Sequence, residues 1–193
     1  MILDKFRLDG KVAIVTGSNT GLGQGFCIAM AEAGAKVVGV SRRPSEQTEK
    51  LIGKDKFFNI IADLSDMQSI SKIVEGTLSK WARVDILINN AGIIRRDDCL
   101  EFSEKDWDDV MDVNLKSLFF LSQAAAKEFV KAGNGGKIIN VASMLSFQGG
   151  IRVPSYTSSK SAVKGLTMTL ANEWAKYNIN VNSIAPGYMA TNN

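Results

Sequence analysis

The chain has 193 residues, 45% of them apolar and 22% charged, with 23 Lys plus Arg against 20 Asp plus Glu, a net charge of +3 and no histidine. That balance predicts one globular domain over 1–193 with a substantial core, and it gives no support to a disordered chain, a nucleic-acid binder or a protein of anionic membranes. The lack of histidine excludes a Ser-His-Asp hydrolase, and Cys27 and Cys99, far apart and outside any Cys-x-x-Cys, argue for neither a disulfide framework nor a zinc site, so no metal is expected.

Met1–Arg7 lacks the apolar run of a signal peptide, and no stretch approaches the ~18 uninterrupted apolar residues of a membrane span. A cytoplasmic address is the expectation. The first predicted strand, "KVAIVTG" (11–17), runs into the turn Thr16-Gly17-Ser18-Asn19-Thr20-Gly21-Leu22-Gly23 and then a helix over about 22–33. Glycines at a strand-to-helix turn let the backbone bend tightly and approach a diphosphate, which the helix N-terminus would meet with free N–H donors. Gly17, Asn19, Thr20, Gly21, Leu22 and Gly23 are therefore the candidate cofactor cradle, although the spacing is Gly-x-x-x-Gly-x-Gly and a glycine-rich turn without a ligand is the alternative.

The second strand, "AKVVGVS" (35–41), ends in Ser41-Arg42-Arg43, where NAD-binding folds usually carry an acidic residue for the ribose 2′-hydroxyl. A hydroxyl followed by guanidinium groups suits a 2′-phosphate and leans to NADP; two ordinary surface arginines are the alternative. Further strands are predicted at "FFNIIAD" (57–63), "VDILINNAG" (84–92), "GKIINVAS" (136–143) and "INVNSIAPG" (179–187). Helices are predicted over about 66–81, 103–131 and 155–177, with Ser65 or Asp66 and Ser103 as N-caps. This βαβ order predicts an α/β fold, a Rossmann-type doubly wound parallel sheet with helices on both faces.

On the last helix, Tyr156 and Lys160 are four residues apart and share a face. A neighbouring ammonium favours phenolate over phenol, so the pair predicts a tyrosine whose pKa falls towards the range of a general acid or base. Ser143 follows the fifth strand, at the sheet edge where open α/β folds bind ligands, and its hydroxyl could donate to a carbonyl oxygen gathering negative charge. A strand-end serine bonded to its own backbone is the alternative.

Thr-Gly-x-x-x-Gly-x-Gly at 16–23, Asn89-Asn90-Ala91-Gly92, Asn114, Ser143, Tyr156-x-x-x-Lys160 and Pro186-Gly187, with 13 residues from Ser143 to Tyr156, together resemble the short-chain dehydrogenase/reductase family over essentially the whole chain. The resemblance implies hydride transfer between NAD or NADP and a hydroxyl or carbonyl, with Tyr156 exchanging the proton, Ser143 holding the substrate oxygen, Lys160 tuning the tyrosine and bonding the nicotinamide ribose, and Asn114 supporting a water beside Lys160. It further implies that Asp63 and Leu64 frame the adenine, that Asn90 contacts the adenosine ribose with Ala91 and Gly92 also binding the cofactor, and that Pro186, Gly187, Met189 and Thr191 meet the nicotinamide or diphosphate. Within the family, "EFSEKDWDDVM" and "NEWAKYNINVNSIAPGYMATNN" resemble sugar-acid dehydrogenases, which implies a sugar acid of the deoxygluconate type and mostly NAD as cofactor. Arg95, Arg96, Gln148 and Arg152 are the candidate groups for its carboxylate and hydroxyls. The resemblance also implies a homo-oligomer, dimer or tetramer, and a lid and seventh strand beyond Asn193, so the sheet is expected to lack its last strand. A 3-oxoacyl carrier protein reductase and a nucleotide-binding protein without turnover are the competing expectations.

Overall fold

Runs of Val and Ile, whose branched side chains suit a pleated surface covered on both sides, form six strands in the computed structural model, which describes residues 1–190. They are β1 (Val12–Thr16), β2 (Lys36–Ser41), β3 (Phe57–Ile61), β4 (Ile86–Asn89), β5 (Gly136–Val141) and β6 (Ile179–Ile184), all parallel, in the spatial order β3-β2-β1-β4-β5-β6. Ile14 of β1 pairs with Val38 on one side and Leu87 on the other, and these three share a face. Helices α3 (Gln68–Trp81), α5 (Ser117–Ala132) and α6 (Pro154–Trp174) cover that face, with Ile73, Leu121, Phe129 and Leu170 buried against it. The opposite face, with Ala13, Val15, Val37 and Ile88, packs on Cys27 and Ala31 of α1 (Gly21–Glu32). The doubly wound expectation holds, and β6 is the outer strand among the described residues.

Strand order reverses between β1 and β4, because the chain winds outward through β2 and β3 before returning to β4. Loops leaving the C-terminal ends of β1 and β4 therefore diverge and open a crevice at that point, where such sheets bind ligands.

The helices depart from the sequence expectations at several points. A short helix, α2 (Glu46–Ile52), and a 3-10 turn at Ile2–Phe6 were not predicted, since neither carries an apolar period. The expected helix over 103–131 is interrupted: α4 (Glu104–Met111) passes through a π turn at Asp112–Lys116 into α5. Asn114 sits inside that turn, fully buried, and its amide reaches across to the backbone of Ile93, as described below. At the start of α3 the N-cap is Met67, not Ser65 or Asp66; Asp66 instead accepts the Gln68 N–H at 2.9 Å in a preceding turn. Ser103 caps α4 as expected, accepting the Asp106 N–H at 3.1 Å.

Polar contacts stitch the sheet together at its base and its centre. Asp85, just before β4, accepts from the Val12 N–H at 2.9 Å and from Arg83 at 2.6 and 2.8 Å, while its own backbone bridges β1 and β5. Burial works against its charge, but the Arg83 guanidinium, the Val12 N–H and Lys11 outweigh it and hold the carboxyl below the usual range. Asp85→Ala should lower stability by about 3 kcal/mol at pH 7 in urea unfolding, since it strips a buried N–H of its acceptor. The charge-dependent part of the wild-type advantage should be lost as pH falls through the acid range and Asp85 takes up its proton, while the neutral carboxyl can still accept from the Val12 N–H. Higher on the sheet, Asn89 donates to Ser122 and to Asn140, each at 2.9 Å, and Asn140 donates to Thr167 at 3.0 Å, forming a buried polar ladder across β4, β5 and α6. Among the described residues no helix is long and apolar enough to cross a membrane.

Candidate active site

The glycine turn leaves β1 and enters α1 under a tight steric limit. A Cβ on Gly23 would lie 2.0 Å from the Gly17 carbonyl oxygen and 2.6 Å from Asn90 Nδ2, so only glycine allows this approach. Asn90 closes the turn from the β4 side, its Nδ2 donating to the Thr16 carbonyl at 2.9 Å, and Thr16 Oγ1 accepts the N–H groups of Asn90 and Ala91 at 3.0 Å each. Asn90 thus has its amide nitrogen committed to shaping the turn. Thr20 stands at the N-cap of α1 without a side-chain cap bond, so the first-turn N–H groups have no protein acceptor from it. Gly21 and Leu22 line a cavity of about 660 Å³ together with Gly25, Phe26, Tyr188, Met189 and Ala190. Free amide donors at a helix N-terminus beside a glycine-only bend fit the diphosphate of a dinucleotide.

At the far end of this crevice, Asp63 and Arg42 border a second depression of about 480 Å³, with Lys72 and Gln68. Asp63 is held below the usual carboxylate range by the Ser65 N–H and hydroxyl, each donating at 2.9 Å; Leu64 is buried behind it. Arg42 and Arg43 are exposed. Ser41 is not: its hydroxyl turns inward and donates to the Arg43 carbonyl at 2.6 Å, so it does not present the proton that the sequence reading offered to a 2′-phosphate. Pro186 and Gly187 pass the β5 end, where the Met144 N–H donates to the Pro186 carbonyl at 3.1 Å. Thr191 lies outside the described residues.

At the nicotinamide end that the crevice geometry implies, Ser143, Tyr156 and Lys160 come together. Ser143 is the N-cap of a 3-10 turn, Met144–Ser146, and its oxygen accepts the Leu145 N–H at 3.2 Å, which leaves its proton for the Tyr156 oxygen or a substrate oxygen. Tyr156 is half-buried near the start of α6. Lys160 Nζ lies 5.7 Å from the Tyr156 ring centre, and the lysine is only 3% exposed.

The electrostatics differ from the sequence expectation. Burial is the larger influence on Tyr156 and pushes its phenol above the usual value, against the Ser143 hydroxyl and the Arg96 charge, which favour phenolate. Lys160 is not among these influences: burial depresses its own pKa to about 8, below that of the phenol, so the amine is neutral by the time Tyr156 ionises, and its Nζ donates to the Val141 carbonyl at 2.6 Å. Asn114 is likewise committed: Oδ1 accepts the Ile93 N–H at 2.8 Å, and Nδ2 donates to the Ile93 carbonyl at 2.9 Å and to Ser159 at 3.1 Å. It pins the Gly92–Ile93 turn to α6 instead of reaching Lys160 through its side chain.

Among the candidate substrate groups the structure separates two neighbours. Arg95 is spent on α4, donating to Asp106 at 3.1 Å and Asp109 at 3.4 Å. Arg96 is exposed, has no carboxylate partner among the described residues, and its charge acts on the Tyr156 phenol. Arg152, in a left-handed backbone conformation at φ 62°, lies 3.6 Å from Asp97, and Gln148 is exposed. Ser18, Ser45 and Asn59, which tie the glycine turn to Arg42, carry no motif signal and were missed by the sequence reading.

Fold and site together define a dinucleotide-binding α/β oxidoreductase with a tyrosine and a lysine at the rim of its sheet. Residues 11–193 match the sequence model described as short chain dehydrogenase. The chain belongs to the short-chain dehydrogenase family, and it is an NAD(P)-dependent oxidoreductase. It is 62% identical over 196 residues to the 2-dehydro-3-deoxy-D-gluconate 5-dehydrogenase of Dickeya dadantii, covering 100% of this chain and 77% of that protein. The enzyme of the same name from Escherichia coli is 60% identical, with the same coverage. Among solved structures, a provisionally named 2-deoxy-D-gluconate 3-dehydrogenase from Agrobacterium tumefaciens with bound NADP superposes with a TM-score of 0.87 at 53% identity, covering 97% of this chain and 75% of that one.

Proposed function

We propose that the chain interconverts a secondary hydroxyl and a ketone on a sugar acid of the 2-dehydro-3-deoxy-D-gluconate type, with NADP or NAD. The observation that carries this reading is the convergence of Ser143, Tyr156 and Lys160 at the rim of the sheet, with Lys160 Nζ 5.7 Å from the Tyr156 ring centre; the exposed Arg96, without a carboxylate partner among the described residues, is the free cation that suits a substrate carboxylate. The nicotinamide, when bound, supplies or accepts the hydride. Tyr156 exchanges the proton at the substrate oxygen. Ser143 donates to that oxygen with the proton its backbone bond leaves free. Lys160 places a buried cation next to the phenol, and Asn114 fixes the turn against which the ring would rest.

Gly17, Gly21, Leu22 and Gly23 cradle the diphosphate in this reading; Arg42 meets the ribose 2′-phosphate and Asp63 borders the adenine. Arg95 acts by anchoring the loop to α4. Exposed Phe120 and Val130 on α5 and Met168 on α6 favour self-association through these helices. Two free cysteines fit a reducing cytoplasm.

The reading is tested by following NAD(P)H at neutral pH with 2-dehydro-3-deoxy-D-gluconate, its oxidised form and a 3-oxoacyl thioester. Turnover of the sugar acid is expected, and Arg96→Ala should raise its KM about thirtyfold with kcat little changed, as removing a charge-assisted bond predicts. Turnover of the thioester alone, or cofactor binding without any turnover, would overturn the assignment.

A further inference from the structure

Beneath Arg42 and Arg43 runs a chain of buried hydroxyls whose direction can be worked out. Ser41 Oγ has one proton and gives it to the Arg43 carbonyl at 2.6 Å. In its 3.0 Å contact with Ser45 Oγ it must therefore accept, so Ser45 donates. Ser45 has then used its proton, and in its 2.9 Å contact with Ser18 Oγ it is Ser18 that donates. The result is a one-way relay from Ser18 in the glycine turn, through Ser45 and Ser41, to the carbonyl of Arg43.

Asn59 on β3 braces it. Its Oδ1 accepts the Ser45 N–H at 2.9 Å, and its Nδ2 donates to the Gly39 carbonyl at 2.8 Å. Thr48 adds a second tie, donating to the Ser18 carbonyl at 2.8 Å. Ser18, Ser45 and Thr48 are at most 3% exposed, so the bonds are shielded from water. Gly39 makes the room: a Cβ there would sit 2.4 Å from the Phe57 ring and 2.7 Å from Ser18 Oγ, which together explain a glycine in the middle of β2.

We propose that this relay is the positioning device for cofactor preference: it holds the Arg42–Arg43 peptide at a set distance from the glycine turn, so that one dinucleotide can place its diphosphate at the turn and its 2′-phosphate at Arg42 together. Ser45 and Asn59 are the positioning residues. Their polar groups are taken up within the protein, Ser45 in the relay and Asn59 on Ser45 and Gly39, and NADH, which has no 2′-phosphate, has little to lose when they are removed. The inference rests on the reading that Arg42 meets the 2′-phosphate.

The test is direct titration of NADPH and NADH, by nucleotide fluorescence, into the wild-type protein and Ser45→Ala, Asn59→Ala and Arg42→Ala. The Kd for NADPH should rise about tenfold in Ser45→Ala and Asn59→Ala, with NADH within twofold, and Ser45→Thr, which keeps a hydroxyl, should recover most of the loss. Should Ser45→Ala lose its cooperative thermal transition, Ser41→Ala removes the terminal donor with less disturbance and carries the same expectation. Equal weakening of both nucleotides, or no change in either, overturns the proposal. If Arg42→Ala leaves NADPH untouched, the 2′-phosphate reading falls; if Arg42→Ala discriminates but the relay variants do not, only the relay falls.

Discussion

Tyr156→Phe is expected to lower kcat by about a thousandfold while leaving the Kd for NADPH within twofold. A positioned proton donor or acceptor is worth roughly a hundred- to ten-thousandfold in rate, and this exchange deletes one oxygen while keeping the ring beside Lys160. The direction of the pH dependence follows from the burial that raises the Tyr156 pKa. At neutral pH the group is a phenol, ready to donate in ketone reduction, whereas oxidation needs the phenolate. The oxidation rate should therefore climb as pH rises, and the reduction rate should not. Steady-state rates in both directions over pH 6–10 check this; a variant keeping a tenth of wild-type kcat would remove Tyr156 from the chemistry.

Lys160→Met should combine a loss of activity of about a thousandfold with a gain in stability at pH 7. The lysine is buried without a carboxylate partner, and burial lowers its pKa from 10.5 to about 8. Below pH 8 the folded protein carries the ammonium at a cost of roughly 3 kcal/mol, by the linkage of proton binding to folding. Between about 8 and 10.5 the unfolded chain binds this proton and the folded chain does not, so wild-type stability rises with pH through that window. The variant has no such group. Its advantage in denaturant unfolding should be largest near neutrality and disappear by about pH 10.5. A buried cation that weakens the fold is retained where activity requires it. Equal activity in the two proteins, or a wild type whose stability ignores pH in this window, would contradict that account.

Strands were legible in the sequence because fully covered parallel strands are runs of Val and Ile, and Ser143, Tyr156 and Lys160 were legible because one strand end and one helix face carry all three. What escaped depends on contacts distant in sequence. No glycine or proline marks the break between α4 and α5; the π turn accompanies the amide of Asn114, which bonds Ile93, 21 residues earlier. The choice between Arg95 and Arg96 is made by Asp106 and Asp109, which take up the first. Ser41 looked like a phosphate ligand because its inward partner, Ser45, lies beyond the strand in an unpredicted helix cap.

The ladder of Asn89, Asn140 and Thr167 has a bearing on how the sheet finds its alignment. A strand such as "KIINV" could slide by two residues along its parallel neighbour and still bury Val and Ile, since apolar packing is not directional. Sliding would carry Asn140 away from both Asn89 and Thr167 and leave its amide without these partners in a dry interior, each lost bond costing about 1–3 kcal/mol. Those few polar atoms thus make the native register lower in energy than misaligned ones that greasy side chains alone would tolerate.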